Sequence, residues 1–214
     1  MPKLFKASNG ELIQEDVPWQ VYLSNPMEHF FCSGVILDHT TVISAASCFE
    51  KSQDKTRISV KTSTESIPAE QLILNTKYQI AILKLSVPLD LNKVQPICMP
   101  SNELTRSTIK PAQQCFYTSI RDDGAKLQFS RASPDQSQRS FSLNDSNLVN
   151  KYAIGGPLIC LEDDVPVLAG IVDQIDTSRN MATFVALPTQ STWFDELILI
   201  QYICSSYSYT DVKT

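Results

Sequence analysis

The chain has 214 residues, 43% of them hydrophobic, with a formal net charge of −5 and a pI near 5.0. Its lysines and arginines are scattered, which argues against a nucleic-acid, heparin or anionic-membrane binder that works mainly by charge. No run approaches the roughly 18 apolar residues of a membrane-spanning helix, and the length suits one all-β unit, since barrels of about 200–250 residues commonly form a single domain.

In chain order, residues 1–6 lack the apolar core of a secretory signal and read as the start of a mature or recombinant form. Residues 57–62 (RISVKT) and 81–85 (AILKL) are strand-like runs bounded by polar or proline punctuation. Residues 130–140 (SRASPDQSQRS) are polar and poor in apolar side chains, which predicts an exposed, mobile loop that could also contact a partner. Asn144-Asp145-Ser146 is an N-glycosylation sequon. A helix beginning near Thr189 places Trp193, Leu197, Ile198 and Tyr202 along one face. There is no internal repeat. The six cysteines include no CxxC pair and no histidine is spaced to join one, which disfavours a metal site. His29 and His39 supply the chain's only imidazoles and read as ordinary surface or strand residues.

Seven segments carry more specific information: 16–23 (DVPWQVYL), 31–36 (FCSGVI), 41–48 (TVISAASC), 79–85 (QIAILKL) with 94–100 (VQPICMP), 154–160 (IGGPLIC) and 170–175 (GIVDQI). In order and spelling they resemble trypsin-like serine proteases, whose motifs read PWQVSL, FCGGSLI, WVLTAAHC, DIALLKL with VQPICLP, GDSGGPLxC and GIVSWG. The resemblance runs from about Ser8 to Phe194. It implies two packed six-stranded antiparallel β-barrels and a C-terminal helix. Residues 1–214 are then one trypsin-like peptidase domain, with subdomains of roughly 1–105 and 106–190 and the helix at about 190–203.

Carried over position by position, Ser47 stands where the family has its histidine, Gln79 where it has its aspartate and Ile154 where it has its serine. Acyl transfer of this kind needs a hydroxyl nucleophile, an imidazole to take its proton and a carboxylate to orient that imidazole. The resemblance therefore implies an inactive homologue. Tyr152 takes the place of the oxyanion-turn glycine, a position most easily filled without a Cβ. Ala153 replaces the aspartate that receives the new amino group on proteolytic activation, and Ala7-Ser8-Asn9-Gly10 replaces the Ile-Val-Gly-Gly-like start. On the cleft wall, Asp173, Gln174 and Ile175 form a candidate binding rim. Ile175 puts a β-branched side chain where the family has a glycine, Leu148 falls near the specificity-pocket floor, and Ser119-Ile120-Arg121 replaces a second glycine-bearing motif. A filled or closed cleft is expected.

The family pattern also pairs Cys32 with Cys48 and Cys115 with Cys160. Cys98 and Cys204 remain open: they could pair with each other, or each could join a segment outside this chain, with Cys98 linking to an upstream chain. The span between Cys115 and Ile154 is shortened and lacks four cysteines found in active relatives. The loop that binds calcium in some relatives is also expected to be missing, so no metal and no cofactor is expected. The implied function is a secreted, non-catalytic binding or regulatory protein in a proteolytic cascade such as clotting, complement or innate immunity. Its expected partner is an extracellular protease, serpin or complement factor. A structural or adhesion module of a larger multidomain protein is the alternative. A carrier of a small ligand and a hydrolase with a displaced nucleophile are further possibilities.

Overall fold

The computed structural model describes residues 6–8, 11–13, 17–50, 57–99, 115–120, 127–134, 140–143, 151–162, 165–179 and 181–187. A short leading hairpin pairs β1 (Lys6–Ser8) with β2 (Glu11–Ile13). The first barrel comprises β3 (Gln20–Ser24), β4 (Cys32–Asp38), β5 (Thr41–Ala45), β6 (Ser59–Lys61), β7 (Ser66–Asn75) and β8 (Ile80–Leu85), closed in the order β3-β4-β5-β8-β7-β6. The second comprises β9 (Cys115–Ile120), β10 (Leu127–Pro134), β11 (Ser140–Leu143), β12 (Pro157–Glu162), β13 (Val165–Asp176) and β14 (Met181–Ala186), closed in the order β10-β11-β14-β13-β12-β9. Among the described residues the only helices are α1 (Ser47–Glu50) and a 3-10 turn at Lys151–Ala153.

Valine, isoleucine and threonine dominate the central strands because branched side chains suit a pleated, buried surface. The six-residue β8, IAILKL, buries all but Lys84, and β4 and β5 are buried along their whole length. Burial on both faces follows from the packing. Val35, Ile43 and Ile82 of the first barrel share one apolar cluster with Ile159, Leu168 and Ile171 of the second. The seam between the barrels is therefore core, and it can hold backbone segments from both sides at fixed separations. A smaller cluster, including Tyr117, Leu158, Val172 and Phe184, fills the second barrel.

One expectation is corrected. Residues 130–134 are the end of β10 and Ser140 begins β11, so most of the supposed 130–140 loop is barrel wall. The composition misleads because ladder bonds are made by the backbone whatever the side chains. Ser130, Arg131 and Ala132 pair with Tyr117, Phe116 and Cys115, and Ala132 also pairs with Leu143. Residues 135–139 and the helix expected at about 190–203 lie outside the described residues.

The strand β13 is irregular where it matters. Val172 pairs with Phe184 and Gln174 with Thr183, which leaves Asp173 as the extra residue of a β-bulge. Bulges bend a strand locally and redirect a side chain.

Candidate functional site

Ser47 and Asp173 meet at the junction of the two barrels, and Gln79 is joined to the residue before Ser47 through its backbone. Ser47 is the first residue of α1, immediately after the buried strand β5, and is half-buried. Its Oγ donates to the backbone oxygen of Asp173 at 3.1 Å. Gln79 ends the turn before β8 and has a φ of 55°, a left-handed conformation uncommon outside glycine. Its Nε2 donates to Thr76 O at 2.7 Å, and its own backbone oxygen accepts from Ala46 N at 3.1 Å. The Gln79 backbone thus braces the residue beside Ser47, while its amide turns back on its own loop.

Ile154 follows the 3-10 turn and precedes β12. Its side chain packs against the first barrel's core cluster. Its backbone oxygen accepts from Ser33 N at 2.8 Å, and Ser33 Oγ donates to Tyr152 O at 2.6 Å. Ser33 Oγ in turn accepts from Gln20 Nε2 at 3.2 Å, and Gln20 Oε1 accepts from the hydroxyl of Thr118. This chain of buried polar groups crosses from β9 to β3 and β4 and ends on the backbone of residue 152. Gly155 follows with a φ of 82°. A Cβ on it would collide with Ser33 O and Ser44 Oγ and lie 3.2 Å from Cys48 Sγ. The turn therefore sits directly over the Cys32–Cys48 disulfide and next to Ser47. Gly155 N donates to Val172 O at 2.8 Å, and Val172 N donates to Gly156 O at 2.9 Å.

Ala153 is fully buried within the second barrel's cluster and Tyr152 is half-buried. On the rim, Gln174 is exposed and Ile175 is half-buried against the same cluster. Beyond it, Asp176 Oδ1 accepts from Ser178 Oγ at 2.5 Å and from the backbone N–H groups of Ser178 and Arg179. The Ser178 hydroxyl first, and then the Arg179 N–H, hold the Asp176 carboxyl below its ordinary value. Arg179 also lies 3.7 Å from Asp176 Oδ2.

His29 is exposed between β3 and β4, and His39 is half-buried between β4 and β5. Among the described residues no hydrogen bond joins either histidine side chain to Ser47, Gln79 or Asp173, and no group of three His, Cys, Asp or Glu could hold a metal. Disulfides join Cys32 to Cys48 and Cys115 to Cys160. Cys98 is disulfide-bonded as well. Cys204, Asn144 and Leu148 lie outside the described residues.

Sequence reasoning singled out the cleft positions but passed over Ser33, Gln20 and Thr118, which tie the cleft together. Ser33 carried a signal, because it stands where the family motif FCGG has its first glycine.

Among the described residues the arrangement offers hydrogen-bond acceptors, an amide and hydrocarbon, and no hydrogen bond joins a histidine to a hydroxyl there. Comparison with known proteins places it in context. The family model described as Trypsin matches residues 9–193. The chain is 24% identical over 185 residues to vitamin K-dependent protein C of Mus musculus, covering 78% of this chain and 37% of that protein. It is 29% identical over 126 residues to vitamin K-dependent protein C of Rattus norvegicus, covering 51% and 27% respectively. It is 30% identical over 113 residues to ovochymase of Halocynthia roretzi, covering 44% and 7%. The chain thus spans little more than a third of the length of the first of these relatives and less of the other two.

Proposed function

Because the chain belongs to the trypsin family, we propose that it is a catalytically inactive member that acts outside the cell by binding another protein, as a cofactor or decoy in a proteolytic cascade such as clotting, complement or innate immunity. The observation that carries this reading is the chemistry at the junction of the barrels. The hydroxyl of Ser47 is committed to Asp173 O, the amide of Gln79 to Thr76 O, and Ile154 brings only hydrocarbon. Proton transfer from a nucleophile requires a base within hydrogen-bond reach, and none of these side chains is one near neutral pH.

The remaining features fit a retained scaffold. The turn at Gly155 and its inter-barrel bonds hold the backbone in one arrangement. Disulfides persist in oxidising compartments, which supports a secreted chain. We assign both barrels to one domain and place the binding surface on the rim of Asp173, Gln174 and Ile175.

Two measurements test the reading together. A fluorophosphonate probe is expected to leave the folded chain unlabelled, and stoichiometric labelling at one serine would overturn the claim of inactivity. The disulfide-intact chain is also used to capture proteins from the extracellular fluid in which it occurs, beside a variant carrying Asp173→Lys and Gln174→Glu. Recovery of a protease, serpin or complement component by the native chain and not by the variant is expected. Equal recovery by both would remove the binding surface from the cleft.

A further inference from the structure

The segment leading to Cys98 crosses the seam between the barrels. Gln95 N donates to Pro18 O and Ile97 N to Ile36 O, each at 3.0 Å, and Leu168 N of the second barrel donates to Cys98 O at 2.9 Å. Cys98 also forms an isolated parallel bridge with Val167. Val167 already pairs with Cys160 of β12 along one edge of β13, so Cys98 occupies the opposite edge. That is the edge β14 follows until Ala186 pairs with Gly170. Three residues of β13 separate Gly170 from Val167, about 10 Å along the strand. Leu187, next in sequence, is buried in the core cluster that also contains Ile97 and Leu168.

The sulfur atoms narrow what Cys98 is joined to. The chain has six cysteines. Cys32 is paired with Cys48, Cys115 is paired with Cys160, and Cys98 is disulfide-bonded too. Cys98 is 6% exposed, and a disulfide brings its two Cα atoms within about 4.4–6.8 Å. Whichever segment supplies the second sulfur must therefore pack closely at the seam. Cys204 is the cysteine of this chain not yet accounted for, and the residues before it follow Leu187 from beside the 94–98 strap. Residues 188–203 can span roughly 50 Å when extended and about 25 Å as a helix. Either is ample for the gap.

We propose that Cys98 and Cys204 form a third disulfide within the chain, which clips its last residues to the strap between the barrels. The proposal does not depend on what the cleft binds. Forming the bond replaces two S–H bonds by one S–S bond. The two electrons and two protons pass to a disulfide oxidant by thiol–disulfide exchange, the same chemistry that closes the other two pairs. Of the three bonds it closes the longest loop, so it removes the most freedom from the unfolded chain. It also uses every cysteine of the chain internally, so a partner protein is held by noncovalent contacts.

The test is a peptide map of the folded 214-residue chain, denatured and alkylated with iodoacetamide without reduction and then digested with trypsin. Cleavage after Lys93, Arg106, Arg179 and Lys213 releases residues 94–106 and 180–213 as separate peptides. A monomer in which these two peptides are joined, with no cysteine alkylated, is expected, and reduction should part them. Cys98 joined to a second copy or to a foreign chain, or recovered alkylated, would overturn the proposal. Cys204→Ser should leave one alkylatable thiol per chain, at Cys98, and lower the melting temperature by roughly 5–10 °C. A Cys98 still bonded in that variant would overturn the pairing. A freed thiol with an unchanged melting temperature would sink the claim that the bond clips the chain to the strap. The map of the native chain needs no variant, so a misfolded substitution cannot obscure it.

Discussion

On one side of the junction, residues 152–156 are bonded from several directions: Ser33 holds residues 152 and 154, and Val172 holds Gly155 and Gly156. On the other side, the end of β13 from Asp173 and the turn that follows it to Arg179 are half-buried or exposed and irregular in register; the strand is held by its ladder to β14 and the turn by the Asp176 carboxyl. The contrast separates two kinds of constraint. The first region is fixed by packing and hydrogen bonds across the seam. The second is fixed by its neighbouring strand and by its own turn, and several of its side chains are left exposed.

The sharpest way to break this contrast is at Gly155. Replacing it with alanine adds a Cβ at a φ of 82° and drives it into Ser33 O and Ser44 Oγ. Left-handed strain together with overpacking should cost about 3 kcal/mol, lowering the melting temperature by roughly 6–12 °C for a chain of this size. A melting temperature within a degree or two of the native value would mean that the turn is not held against the seam.

Ser33→Ala removes less. It takes away the donor to Tyr152 O and the acceptor of Gln20 Nε2 while leaving the backbone bond to Ile154 O in place. Breaking buried bonds and leaving partners unsatisfied should cost about 2 kcal/mol. Because Gln20 and Thr118 belong to the same network, Thr118→Val should be less than additive with it. Full additivity in a double-mutant cycle would show that the chain of bonds does not act as a unit.

Ile154→Ser asks whether the retained backbone is enough for chemistry. The half-buried isoleucine packs on the first core, so its loss should cost about 1 kcal/mol. The new hydroxyl has no imidazole bonded near it, and no hydrolysis of peptide or ester substrates is expected. Turnover above the native chain would show that the backbone supplies more catalysis than the reading allows.

How much of this was legible in the sequence follows the same division. Apolar runs such as 81–85 and the IGGPLIC segment announce themselves, because packing across a seam demands particular residue types at particular spacings. Residues 130–134 do not, since a polar barrel strand is held by ladder bonds that any residue can make. The Ser33 to Tyr152 bond joins positions 119 apart. The unpartnered oxygen of Asp173 depends on a bulge, and a bulge is a mismatch between two strands that neither strand's sequence displays alone. The motif alignment singled out Asp173, and the geometry added which of its atoms is unsatisfied.

The smallest expected effect lies at the outer end of the rim and tests whether that region is independent of the seam. The Asp176 carboxyl is held below its ordinary value by the Ser178 hydroxyl and the Arg179 N–H, so the folded state binds its proton less readily than the unfolded chain does. A lowered folded value contributes stability that is present above the unfolded value and is lost as the pH falls through the folded one. The wild type should therefore exceed Asp176→Asn slightly at neutral pH, and the difference should fade below about pH 4. The carboxyl is fully solvent-exposed and screened, so the gap should also shrink with added salt. If Asp176→Asn instead shifts the amide resonances of residues 152–156, the rim and the seam are coupled, and their separation into two independently held regions fails.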